Sequence, residues 1–298
     1  MSVESPISQR LERLSELPQL ERNMLERRAL ANTLFSALAW LAAILGSIPL
    51  LSVIYMLLLE GGARLSWETL SALPPAGFDT GGGFGNAIVG TLVMVGIAAL
   101  LSIPFGLLAA IYLAVVGPTH RLAAVSRFVG KTLTGFPSIL AGVFVYAILV
   151  INFGYSAIAG GVALAVLMLP TVMLAAEEAL RQVPQKMTDA AYGMGCNRTQ
   201  VILKIVLPTA LPGVITGVLL AVAGAAGESA PLLFTALFSN YYMSEVMEPT
   251  ASLSILIYNF SAMPFENQIE LAWGASLTLV LLVLTLNVLA RLIGRPRI

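Results

Sequence analysis

Long apolar runs separated by short polar ones set the plan of this 298-residue chain. Runs long enough to cross a bilayer, for which about 20 residues suffice, cover Leu34 to Leu59, Ala87 to Val116, Leu133 to Ile151, Ala157 to Ala176, Ala210 to Phe234 and Leu271 to Leu292. They predict an all-α polytopic bundle of six transmembrane helices over residues 34–298, since backbone polar groups in lipid must be satisfied within the segment. Residues 1–33 differ in kind. There Leu11, Leu14, Leu17, Met24 and Leu25 recur at helical spacing among charges, which predicts an amphipathic helix on the inner membrane face, broken near Pro18. The apolar run that follows starts too late, is too long and lacks a small-residue cleavage site, so no cleavable signal peptide is expected. Two longer polar stretches, Glu60 to Gly85 and Ser239 to Glu270, are not apolar enough to be spans. Pro74-Pro75 and Gly81-Gly82-Gly83 make the first a loop over one face, and the rings of Tyr241, Tyr242, Tyr258 and Phe265 suit the second to an interface or a docking partner.

Charge then orients the bundle. Of sixteen basic residues, fifteen fall in the N-terminal segment, after the second and fourth runs, and at the C-terminus; only Arg64 lies on the opposite side. The positive-inside rule places both termini and the segment around Asp189 in the cytoplasm, with the chain multi-pass in its membrane. Composition agrees, at 58 % hydrophobic and 11 % charged with a mean hydropathy of +0.88. Zero net charge implies no nucleic-acid partner, and membrane lipid is the surrounding expected. Cys196 and His120 are each the sole residue of their type, which leaves no intrachain disulfide, cysteine-built metal site or histidine triad. Gly130-Lys131-Thr132 looks like the end of a phosphate-binding P-loop, but the pattern needs a glycine where Val125 stands. No catalytic residue, metal or cofactor is therefore assigned to this chain.

The stretch Asp189 to Pro208 is helical in pattern without being apolar enough for a membrane. Thr188 or Asp189 can cap a first helix, Gly193 and Gly195 can end it at positive φ, and Asn197 with Gln200 can cap a second. Val201, Ile202, Ile205 and Val206 give that second helix an apolar side until Leu207-Pro208 redirects the chain. Ala190 and Ala191 leave a small-residue surface open to another protein's backbone. Asp189-Ala190-Ala191, Gly195, Ile205 and Leu207-Pro208 also fall on every position of the "EAA" loop of ABC-importer permeases, with Asp replacing the usual Glu. The resemblance implies that this loop, over 177–208 and with Arg198 in its second helix, couples the spans to a separate cytoplasmic ATPase that binds ATP and Mg²⁺.

In the fifth run, Ala226-Gly227-Glu228-Ser229-Ala230-Pro231-Leu232-Leu233-Phe234-Thr235 places a carboxylate among apolar residues. An ionised group there costs about 2.5 to 3.5 kcal/mol on insertion scales, so Glu228 should face the bundle interior, paired, hydrated or protonated. It is read either as a pathway or gate residue or as a polar cap on the helix break that Pro231 creates. This stretch resembles the PstA-type permease subunits of phosphate importers, as do Pro137-Ser138-Ile139 with Gly142 to Tyr146, and Leu271-Ala272-Trp273. The likeness runs from the first span onward. It implies a type I ABC importer of inorganic phosphate in which this chain forms half the pathway beside a PstC-type sister permease. Two PstB-type ATPase subunits and an external PstS-type phosphate-binding protein complete the implied assembly. Ser138 and Ser229 become the hydroxyl candidates of the pathway beside Glu228 and Pro231. The family often carries Arg four residues before this Glu; here that position is Gly224. Alternatives are a permease for molybdate or sulfate, or a secondary transporter relaying ions through Glu228, which would leave the Asp189 loop unexplained.

Overall fold

The computed structural model describes residues 27–293, and every regular element among them is helical. The amphipathic segment expected over 1–33 lies outside the described residues up to position 26, as do Arg295 and Arg297. The chain divides into two units at Tyr55 and Met56. The first described element, α1 (Arg27–Met56), carries apolar residues all round its axis from Leu30 onward, as a membrane-spanning helix does.

The second unit begins with a π-helical turn, Leu57–Gly61, and a short helix, α2 (Trp67–Ser71), whose Ser66 cap accepts the Thr69 N–H at 3.1 Å. Next come α3 (Gly85–Val116), α4 (Arg121–Thr134), α5 (Ser138–Phe153) and α6 (Ala157–Arg181). The polar segment after α6 supplies α7 (Gln185–Gly193), followed by α8 (Arg198–Gly227), α9 (Ala230–Thr235), α10 (Leu253–Ser261) and α11 (Glu266–Ile293). Five helices, Leu30–Gly61, α3, α6, α8 and most of α11, are long and apolar enough to cross a membrane, and α4 with α5 makes a sixth crossing only as a pair bent by 103°.

Three expectations are corrected. The third run is not one helix from Leu133, because Pro137 has no N–H and pushes Phe136 out of the α region, so α4 ends at Thr134 and α5 starts afresh at Ser138. The fifth run is not one helix to Phe234: it breaks at Glu228 and Ser229, ahead of Pro231. Pro231 cannot donate to the carbonyl of Gly227, and its ring would strike that carbonyl; α8 therefore stops at Gly227, Glu228 turns extended (φ −74°, ψ 125°), and Pro231 sits in the first turn of α9. The stretch after Ser239 is not only the interfacial or docking segment that its rings suggest: Leu253, Ile255 and Leu256 of α10 are wholly buried. Nine residues are too few to span, so the apolar run escapes a search for spans, yet they fill the space between α3 and α11.

Helices α3 and α6 form the most extensive pair. Met94, Val95 and Ala98 of α3 meet Leu164, Ala165, Met168 and Val172 of α6, with Ala221 and Ala225 of α8 and Leu232 of α9 against them. Alanine is frequent at these contacts because lipid offers no hydrophobic drive between helices, and small side chains let backbones approach closely enough for dispersion to hold them.

Candidate functional site

Two groups of residues singled out in the sequence lie at opposite ends of α8. At its start, α7 begins at Gln185 behind Pro184, four residues before the expected cap at Asp189, because proline loses nothing at a helix start where N–H groups are unpaired anyway. Thr188 instead donates its hydroxyl to Gln185 O at 2.7 Å. The helix ends as anticipated at one glycine only. Gly195 has φ +83°; its N–H donates to Tyr192 O at 2.9 Å, and Cys196 N–H donates to Ala191 O at 3.1 Å, the paired closure of a Schellman turn. Gly193 remains helical. Beyond the turn, Asn197 Oδ1 accepts the Gln200 N–H at 2.8 Å and Gln200 Oε1 accepts the Asn197 N–H at 2.9 Å, a complete capping box.

Ala190 and Ala191 have different surroundings. Asp189 and Ala190 are exposed, but Ala191 is 1 % exposed and packs with Ala110, Val201 and Val206, so it docks α7 onto its own bundle rather than offering a surface to another protein. Ile205 and Leu207 are half-buried against the same cluster, and Pro208 is exposed. Nor does Pro208 redirect the chain. The backbone widens to a π-helix over Ile202–Val206, which absorbs the donor that Pro208 lacks, and α8 continues to Gly227. Arg198 is held within the chain: its guanidinium donates to Val115 O at 2.7 Å and to Val116 O, capping the carbonyl end of α3 with a cation. The segment Gly130-Lys131-Thr132 is helical within α4, not a phosphate-cradling loop.

Sequence reading missed two features here. Met187, Tyr192 and Met194 stand exposed around Asp189, Met194 at 77 %, giving the loop an apolar surface. Glu177, 4 % exposed near the end of α6, accepts Arg127 Nε at 2.6 Å and Arg181 at 2.8 Å. Arg127 also donates to Leu113 O at 2.6 Å and Pro118 O at 3.0 Å, so one side chain ties α3, α4 and α6. Glu177 with Arg181 at helical i,i+4 spacing was the available signal; Arg127, fifty positions away, was not legible.

At the far end of α8, Glu228 and Ser138 line one cavity of about 190 Å³ together with Thr134, Phe136, Thr171 and Gly224. Ser138 is the first residue of α5, so the partial positive charge of that helix start adjoins the cavity. Among the described residues no cation pairs with Glu228. Ser229 and Pro231 are not among these lining residues. Ser229 instead serves the backbone, its carbonyl accepting the N–H groups of Leu232 and Leu233 at 3.1 Å each, while Pro231 is buried. In the segments Glu60 to Gly85 and Ser239 to Glu270, Phe78 is 94 % exposed beside Asp79 and packs edge-on to Phe265, and Tyr242 donates to Ser71 O at 2.6 Å.

Residues 102–295 match the family model described as "Binding-protein-dependent transport system inner membrane component". The phosphate transport system permease protein PstA of Pasteurella multocida (strain Pm70) is 39 % identical over 266 residues, covering 89 % of this chain and 95 % of that protein. The chain belongs to the PstA family of transport-system permeases. PstA 1 of Mycobacterium tuberculosis (strain H37Rv) is 36 % identical over 282 residues, 93 % of this chain and 91 % of its own. Among solved structures, an inward-facing form of the MetNI methionine ABC transporter superposes with a TM-score of 0.57 at 20 % identity, over 71 % of this chain and 94 % of that one. The chain is thus a multi-pass ABC-transporter permease with the all-α type I importer fold.

Proposed function

We propose that this chain forms half of the translocation pathway of an ATP-driven importer of inorganic phosphate in the bacterial inner membrane, both termini cytoplasmic. It pairs with a PstC-type sister permease, takes its energy from two PstB-type ATPase subunits that bind ATP and Mg²⁺, and receives phosphate from an external PstS-type binding protein. The observation that carries this reading is a largely exposed helix, α7, joined by the Gly195 turn and the capping box to α8, whose other end adjoins the cavity of Glu228 and Ser138. Movement of α7 at the ATPase then displaces a helix that ends at the pathway.

In that pathway Glu228 works as a gate or counter-charge rather than as a phosphate ligand. Two anions about 4 Å apart repel by roughly 4 kcal/mol at an effective dielectric near 20, so a bare carboxylate cannot hold the substrate. Phosphate meets hydroxyls such as Ser138, the N-terminal end of α5, and cationic groups of the sister chain. The coupling surface consists of Asp189, Ala190, Tyr192 and Met194; Ala191, Arg198, Ile205, Leu207 and Pro208 hold it in place, and Gly195 provides its turn. The outer segments around Phe78, Asp79 and Tyr242 receive the binding protein.

The test is phosphate uptake into vesicles holding the assembled permeases and ATPase, with the binding protein outside the importing face. Uptake that requires both ATP and the binding protein supports the reading; uptake driven by an ion gradient without ATP refutes it.

A further inference from the structure

The joint at Glu228 leaves one backbone group without its helical partner. In an unbroken helix the Leu232 N–H would reach Glu228 O, but it donates to Ser229 O at 3.1 Å. A partly buried carbonyl without a donor carries a cost, and this one is satisfied from elsewhere in the chain. Ser254 Oγ, on a side chain from the first turn of α10, donates to Glu228 O at 2.9 Å. Since that proton is committed, Ser252 Oγ, 2.9 Å away, donates to Ser254 Oγ, and Ser252 Oγ in turn accepts the Ile255 N–H at 3.1 Å. The protons thus run in one direction, from the start of α10 through two serines into the break. A parallel pair anchors the same segment to α3: Leu253 N–H donates to Thr91 Oγ1 at 2.9 Å, and Thr91 donates to Ala87 O at 2.8 Å. The contact is close because α3 has no side chain at Gly90, where a Cβ would lie 1.9 Å from Ala251 O. Thr250 N–H reaches Ala236 O, just past α9, at 3.1 Å.

We propose that Ser254 is a positioning residue of the transport pathway. Its hydroxyl fixes the angle of the Glu228 joint to the outer segment Thr250–Ser261, so that a load on the outer face is passed to the pathway through the Ser252–Ser254 relay. This rests on the reading that the break at Glu228 lies in the pathway. Hydroxyls suit the task because each is both donor and acceptor, and buried hydrogen bonds of this kind set a geometry that apolar packing alone leaves free to slide.

The experiment uses the whole importer in proteoliposomes and compares Ser254→Ala, Ser254→Thr, Ser252→Ala and Glu228→Gln at equal amounts of assembled complex. The readouts are phosphate imported per ATP hydrolysed and the stimulation of ATP hydrolysis by the binding protein. Ser254→Ala is expected to lower phosphate per ATP at least threefold and to flatten the stimulation. Ser254→Thr, which keeps the hydroxyl, should remain within twofold of the unaltered chain. Ser252→Ala should fall between them, since Ser254 keeps its own donor. Wild-type coupling in Ser254→Ala overturns the proposal. So does equal loss in Ser254→Ala and Ser254→Thr, which would make the site one of packing. Impaired Ser254→Ala beside a silent Glu228→Gln supports the positioning of the joint and overturns only the gate role of the carboxylate.

Discussion

At the scale of single residues, the cavity beside Glu228 combines a carboxylate, a serine at a helix start and an empty position one turn before the carboxylate. A Cβ built on Gly224 meets nothing within 4 Å, and Gly224 shares the cavity with Glu228. Gly224→Arg therefore meets no obstruction at its Cβ, and its guanidinium should pair with Glu228, changing the apparent KM for phosphate. In a double-mutant cycle with Glu228→Gln, the two changes should couple by at least about 0.5 kcal/mol, whereas independent effects would show that the side chains do not meet. Glu228→Gln by itself separates two roles. Glutamine keeps the shape and hydrogen bonding of a protonated glutamate, so a carboxylate that only decorates the break leaves uptake unchanged; a counter-charge to a sister cation leaves a leaky or slow transporter. Uptake at matched expression decides between them.

At the scale of elements, the loop between α6 and α8 is a rigid hairpin built from local rules. A β-branched residue at Gly195 would have to sit at φ +83°, a strain of about 1 to 3 kcal/mol, relieved only by unwinding the Schellman turn. Gly195→Val should keep insertion but lower phosphate uptake per ATP hydrolysed, and Gly195→Asn, which tolerates this region better, should fall between Val and the native glycine. Exposed Met194 tests the neighbouring surface. Met194→Asp removes no internal packing, so the thermal stability of the permease alone should hold while ATPase co-purification falls; unchanged co-purification would take Met194 out of the docking surface.

At the scale of the whole second unit, buried polar ties join elements far apart in sequence. Removing the charge of Glu177 leaves Arg127, fastened to carbonyls of α3 and of the turn after it, without its anion, and breaking a buried pair costs on the order of 3 kcal/mol. Glu177→Gln should lower the Tm of the purified permease by several degrees, more than Glu178→Gln, since Glu178 is exposed. Equal Tm values would show the network to be stabilised by its carbonyl bonds alone. What the sequence determined by itself was local: the presence of the apolar runs, the Gly195 turn and the Asn197–Gln200 box, because each depends on residues within a few positions of one another. Its pattern of motifs was sufficient to point to the permease family. Tertiary structure decided what those pieces touch. Ala191 turned inward, Arg198 was drawn onto the end of α3, and the short apolar run at Leu253 became core instead of loop. Ser138 and Glu228 came to share a cavity although ninety positions separate them. Such outcomes depend on which surfaces meet after the helices pack, and hydropathy records only whether a residue leaves water, not which neighbour it then finds.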